Sequence, residues 1–228
     1  MMGLTIEQVV PWGRNLQEYS LFFDFSENDF SKRIVGIGDG PASFNYEMKI
    51  RGYHCVSIDP MYQFAEHQLQ ARFRDTYQNI QKQLHEKQDD FVWEYYENPD
   101  QVCNDRFQSM TLFLKDFDKG KKEKRYITGS LPDLPLFEGT FELAVCSHFL
   151  FLYSHIFDYE FHYQSVKDML RVAREVRIFP ILGMDGRLSE HVPGIINEYR
   201  LAGYNVSVQK VDYEFQKGGN KMLKISRI

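Results

Sequence analysis

The sequence predicts an α/β protein: a doubly wound sheet of seven strands, mostly parallel, finished by an antiparallel C-terminal hairpin and carrying a helical insertion. Three observations predict it. From residue 32 onward, short β-prone runs alternate with stretches of helical periodicity. A glycine-rich stretch, IVGIGDGPASF (34–44), joins the first such run to the first helical one. The last two runs are joined by QKGGN (216–220), a short glycine-bearing link suited to antiparallel neighbours.

Residues 1–30 read as an N-terminal helical extension, with Leu16, Tyr19, Phe22 and Phe23 at helical spacing. The main domain spans 31–228. Residues 32–37 form a first strand, and 41–51 a helix with Pro41 near its first turn and Gly52 closing it. Residues 53–58 form a second strand, completing a βαβ unit whose crossover is right-handed. Residues 61–125 exceed any ordinary connection and read as two or three helices, with a break at Asn98-Pro99-Asp100. Strands follow at 126–128, 141–147 and 175–182, with helices at 161–174 and 188–202. The closing hairpin spans 206–215 and 221–228.

Composition narrows the function classes. The chain has 228 residues, enough for one large domain, and 15% aromatics can line a pocket as well as fill a core. A formal net charge of -5 disfavours a nucleic-acid partner, despite the basic cluster Lys119, Lys121, Lys122, Lys124 and Arg125. Cys55, Cys103 and Cys146 are odd in number and widely spaced, which points to a reducing cytoplasm and not to disulfides or zinc. The first residues lack the pattern of a signal peptide, and no apolar run approaches the roughly 20 residues of a membrane span.

Open parallel sheets bind ligands at the carboxyl ends of their strands. The glycine loop lies at such an end. Asp59 follows the second strand, where an acid can accept from the vicinal hydroxyls of a ribose. Loop and acid together point to an adenosine-containing ligand. The loop lacks the GxGxxG of dinucleotide enzymes, which disfavours another nucleotide enzyme on a doubly wound sheet.

Gly38-Asp39-Gly40-Pro41-Ala42 resembles the GxGPG loop of class I S-adenosylmethionine-dependent methyltransferases. LPLFEGTFELAVCSH (134–148) resembles their fourth-strand pattern LPF-x-D-G-S-F-D-L-V, and the strand order with its terminal hairpin is theirs. The chain also resembles a narrower group of uncharacterised bacterial proteins sharing WGR, GDGPASFN, EVRIFP and EFQ-x-GGN. The resemblance implies a Rossmann-like fold and S-adenosylmethionine as cofactor. The long insertion and the aromatics would build an acceptor pocket, and the acidic charge disfavours tRNA or DNA, so the expected acceptor is a small molecule. The resemblance places Gly36, Gly38, Asp39 and Gly40 beside the methionine part of the cofactor and Asp59 on its ribose. Pro60 and Met61 would flank the adenine. Ser130 matches an acid that accepts from the adenine amino group, and Ser147 faces the reactive side. The family's first acid aligns with Gly36, and Asp39 is the candidate to replace it. Arg14, in Trp12-Gly13-Arg14, can pair with a carboxylate as the N-terminal segment closes over the cofactor.

For the chemistry, His148 at the end of the fourth strand is the candidate base and Tyr153 a candidate to orient substrate. A metal site of His148, His155 and His162 is disfavoured by spacings of seven. No NPPY-type motif follows the fourth strand, so amino methylation of DNA bases or glutamine is not supported. The alternative function is a protein of the same fold that binds cofactor or nucleoside without transferring methyl groups.

Overall fold

A computed structural model describes residues 9–227. The expectations for the first eight residues, including the absence of a signal peptide, lie outside them, as does Ile228. One sheet holds all seven strands in the order β3-β2-β1-β4-β5-β7-β6. They are β1 (Ile34–Ile37), β2 (Cys55–Ile58), β3 (Tyr126–Ile127), β4 (Phe141–Ser147), β5 (Ala173–Phe179), β6 (Asn205–Lys210) and β7 (Lys221–Ser226). Only β7 runs against the rest, pairing antiparallel with both β5 and β6. The order reverses between β1 and β4, and that reversal opens a crevice at the carboxyl ends.

The central strands read as continuous apolar runs because both faces are covered. Every residue of β1 is buried, and in β4 only Glu142 is not. One face packs under α6 (Tyr159–Val172), whose Val166, Met169 and Leu170 form the expected stripe, and α7 (His191–Leu201). The other face meets α1 (Leu16–Phe22) and α3 (Phe44–Ile50). Leu16, Tyr19, Phe22 and Phe23 are all essentially inaccessible, so this part of the N-terminal segment belongs to the central core. Asn15 caps α1, and its carboxamide oxygen accepts from the Glu18 N–H at 2.8 Å. The four-residue α2 (Glu27–Phe30) completes the lead-in to β1.

The insertion is an antiparallel pair, α4 (Glu66–Glu86) and α5 (Pro99–Lys122), preceded by a 3₁₀ turn at Pro60–Gln63. Asn98-Pro99 begins α5 as cap and first-turn proline, and the break itself covers 87–98. The pair packs through Leu69, Phe73, Met110, Phe113 and Phe117 onto Tyr62 and Tyr126.

Several elements differ in extent from expectation: α6 gives way at residue 173 to β5, which ends at Phe179 and not at 182, and α7 starts at His191 and not at 188. Two further differences shape the site. The first helix starts at Phe44, not at Pro41. The backbone of Gly13 lies against that of Pro41 so closely that a Cβ on Gly13 would stand 2.1 Å from the Pro41 carbonyl oxygen. Residues 41–43 therefore stay irregular to accept the N-terminal segment. β6 ends at Lys210, not at residue 215. Beyond it the chain leaves the sheet for the insertion: Phe215 stacks on Phe91 with ring centres 4.6 Å apart, and its carbonyl accepts from the Val92 N–H at 2.8 Å. The hairpin connection is thus 211–220, longer than QKGGN alone.

Candidate functional site

A cavity of about 320 Å³ lies at the carboxyl ends of β1, β2, β4 and β5. That volume falls in the range of small-ligand sites. The N-terminal segment covers it, the insertion and the 211–220 connection form its far wall, and the glycine loop its near wall.

Strand register builds the near wall. Ile37 pairs with Ile58, so the chain leaves β1 and β2 side by side. The Gly38 N–H donates to the Ile58 carbonyl at 2.8 Å. Gly38 and Gly40 take φ of +71° and +58°, the left-handed region in which glycine is unstrained. Asp59 ties the loop in place: its Oδ2 accepts from the Gly40 N–H and its Oδ1 from the Met61 N–H, each at 2.8 Å. Pro60 and Met61 continue the wall.

Gly36 does not line the cavity, contrary to its expected place beside a ligand. The reason is Asp39. Its Oδ2 stands 2.0 Å from where a Cβ on Gly36 would lie. The carboxylate of Asp39 therefore folds back over Gly36 and fills the space a side chain there would use. It accepts from Tyr19 Oη at 2.7 Å and from Ser57 Oγ at 2.5 Å. Burial raises the Asp39 carboxyl to about 7, against the opposing hydrogen bonds of Ser57 and Tyr19 and with a further push from Asp59. Burial likewise raises Asp59 to about 6, partly offset by its two backbone donors.

At the end of β4, Ser147 and His148 both line the cavity. Ser147 Oγ lies 2.8 Å from His148 Nδ1, and the His148 N–H donates to the Phe179 carbonyl at 2.6 Å. His148 takes φ +53°, unusual for a residue with a Cβ, and its ring meets the stacked pair Phe22 and Phe179 in edge-type contacts. Burial, then the charges of Arg14 and Arg106, push its imidazole well below the usual histidine range. Both effects favour the neutral ring, and Nε2 is free of any partner among the described residues. Tyr153 is buried on the same wall, and its Oη accepts from the Val10 N–H at 3.4 Å.

Three candidates lie elsewhere. Ser130 is exposed beyond β3 and takes no part in the cavity, because residues 130–133 turn back on themselves. His155 is exposed. His162 is spent in the core: its Nε2 accepts from the Phe151 N–H at 3.2 Å, and its Nδ1 lies 2.7 Å from the Asp158 carbonyl. Among the described residues no group of His, Cys, Asp and Glu is placed to hold a metal, and all three cysteines are buried free thiols.

Arg14 lines the cavity as expected, and a partner that sequence reading missed stands beside it. Arg106 of α5 is fully buried and makes a fork with Glu18, Nη1 to Oε2 at 2.7 Å and Nη2 to Oε1 at 2.5 Å. Its signal is periodic. Val102, Cys103, Met110, Phe113 and Phe117 define the apolar face of α5, and Arg106 falls on it at i+4 from Val102 and i−4 from Met110.

The sheet order, the terminal hairpin and a cavity at the switch point define the class I methyltransferase fold. No family model matches the chain. It is 31% identical over 228 residues, the full length of both chains, to the uncharacterised protein MJ0045 of Methanocaldococcus jannaschii, and it belongs to that protein's family. Similar solved structures include a magnesium protoporphyrin IX methyltransferase from Synechocystis PCC 6803 (TM-score 0.45, 11% identity, 87% of this chain and 71% of that one). A methyltransferase of Methanosarcina mazei is comparable (TM-score 0.46, 10% identity, 87% and 93%). At these values the likeness adds nothing about reaction or substrate.

Proposed function

We propose that the chain is an S-adenosylmethionine-dependent methyltransferase acting on a small-molecule acceptor. The observation that carries this reading is the position of Asp39. A carboxylate stands over Gly36, where the fold's usual first acid would place one, and Asp59 faces the same end of the cavity from the end of β2. Both acids lack a cation within ion-pair distance among the described residues, and burial disfavours their charge. A ligand with an ammonium, a sulfonium and vicinal hydroxyls suits that end.

The cofactor, when bound, supplies a methyl group on a positively charged sulfur. Asp39 would hold the ammonium. Asp59 would accept from the ribose hydroxyls through the lone pairs its two backbone donors leave. Met61 and Pro60 offer apolar contact to the base. His148 is placed to take a proton from an acceptor atom that carries one, because its neutral Nε2 is unspent and Ser147 fixes the ring through Nδ1. Tyr153, on the same wall, would orient the acceptor. The N-terminal segment, which lines the cavity, would limit the access of water to the bound cofactor.

Calorimetry with S-adenosylmethionine and S-adenosylhomocysteine tests the reading, and heat with neither overturns it. Asp59→Ala is expected to weaken binding by more than roughly tenfold, or about 1.4 kcal/mol. Labelled cofactor incubated with a metabolite extract should give a product that is lost in His148→Ala and kept in His155→Ala. Binding of both cofactor forms without any labelled product would instead make this a binding protein on the same fold.

A further inference from the structure

Arg14 and Arg106 both line the far wall of the cavity. Glu18 stands behind them as the carboxylate both guanidiniums face, with Asp105 acting on Arg106 beside it, and a carboxylate accepts about four hydrogen bonds. All four are taken: by the Asn15 N–H at 3.0 Å, Arg106 Nη1 at 2.7 Å, Arg106 Nη2 at 2.5 Å and Tyr96 Oη at 2.6 Å. Arg14 is left over. Its Nη1 donates to the carbonyl of Trp12 two residues away. Its Nε stops 3.7 Å from Glu18 Oε1 and has no hydrogen-bond partner. Nη2 has none either among the described residues. With Glu18 filled by other donors, the Arg14 guanidinium stays on the cavity wall with donors unspent. An uncompensated cation in such a place is costly, and burial and Arg106 both disfavour its charged form.

The cavity that Arg14 lines also carries flat, apolar rings. Tyr213 and Phe215 come from the 211–220 connection, Phe91 from the insertion and Phe179 from the end of β5. Arg14 acts electrostatically on Tyr213, Tyr96, His148 and Tyr153, and on Tyr19 behind Asp39. Among the described residues it makes no ion pair or hydrogen bond with Asp39 or Asp59, the two acids of the glycine loop, and the carboxylate it approaches is held by Tyr96 and Arg106 of the insertion. The unspent donors thus belong to the half of the cavity built by the insertion, beside the candidate base.

We infer that the acceptor is an aromatic acid whose anionic group pairs with Arg14 while its ring lies among Tyr213, Phe215 and Phe91. This rests on the methyltransferase reading and names its substrate class. It also moves Arg14 from the cofactor to the acceptor.

The test is binding of indole-3-acetate against its neutral amide, measured on the protein alone and on the protein saturated with S-adenosylhomocysteine. The acid should bind at least about tenfold more tightly than the amide, a difference of about 1.4 kcal/mol. Arg14→Gln should abolish that preference and leave the amide unchanged, and Arg14→Lys should keep part of it. Equal affinities of acid and amide in the wild-type protein overturn the inference, as does binding of neither. A third overturning result concerns the cofactor. If Arg14→Gln weakens S-adenosylhomocysteine but spares methylthioadenosine, which lacks the amino-acid end, the cation holds the cofactor's own carboxylate. Failure of S-adenosylhomocysteine to bind sinks the methyltransferase reading separately, because the preference for acid over amide is also read on the ligand-free protein. If Arg14→Gln fails to fold, the wild-type preference and the lysine variant still decide.

Discussion

At the carboxyl ends of β1 and β2, Asp39 and Asp59 are buried side by side with no ion-pair partner among the described residues. Across the cavity, Arg14 and Arg106 share the single carboxylate of Glu18. Burial acts on both groups, with opposite outcomes. The loop acids are raised into the neutral range because nothing positive answers them. Glu18 would also be raised by burial, yet Arg106 and then Arg14 hold it below the usual carboxylate range. Desolvation is common to the two, and the partner count decides the sign. One end of the cavity lacks a cation and the other lacks an anion.

Removing the shared carboxylate should have the largest effect. Glu18→Gln leaves two arginines buried without a counter-charge, an expected loss of about 3–5 kcal/mol in denaturant unfolding. A loss below about 1 kcal/mol would mean that the arginines find other partners, against the comparison. Next comes the acid end. Asp39→Gly should weaken S-adenosylmethionine by roughly tenfold or more, the equivalent of about 1.4 kcal/mol. The paired change Gly36→Asp with Asp39→Gly should recover most of it, because the carboxylate returns to the same space. Gly36→Asp alone should displace the Asp39 carboxylate from Tyr19 and Ser57, since its Cβ would meet Asp39 Oδ2, and lower the melting temperature.

A smaller effect is the pH dependence of stability. Asp39 ionises near 3.8 in the unfolded chain and near 7 in the folded one. Between those values the folded chain holds a proton that the unfolded chain has lost. The stabilisation is therefore full below about 3.8 and is lost as pH rises through about 7. Asp39→Asn should flatten that slope in thermal melts between these limits, and an unchanged slope would assign it elsewhere. Ser130→Ala should change cofactor affinity by less than about twofold, or about 0.4 kcal/mol, since the serine lies outside the cavity. A larger change would enlarge the acid end beyond the two aspartates.

The two halves also differ in how plainly the sequence announces them. The acid end is short-range chemistry: glycine spacing, a βαβ unit and an acid at the next strand end. All of it lies within residues 34–61, so β1, β2 and the residues of this wall are legible. Gly36 was the exception, because only the fold-back of the Asp39 side chain shows that nothing reaches it. The basic end joins residues far apart in the chain. Arg106 contacts Glu18 across 88 positions, and Phe215 reaches Val92 through a backbone bond that no local pattern encodes. A polar residue on a helix's apolar face is a visible anomaly, but its partner is not. The same limit explains β6, whose β-prone run continued past Lys210 while tertiary contacts drew the chain toward the insertion.

Helix α1 carries a consequence for how this chain can be shortened. Glu18 and Tyr19 are adjacent, and one grips the arginines while the other grips Asp39. The seven residues of this helix act as a common bracket for both polarities of the cavity. A shorter version starting at β1 would keep every strand of the sheet and still lose the alignment of its two electrical poles. The functional unit is therefore larger than the minimal sheet, and its first indispensable part stands ahead of the first strand.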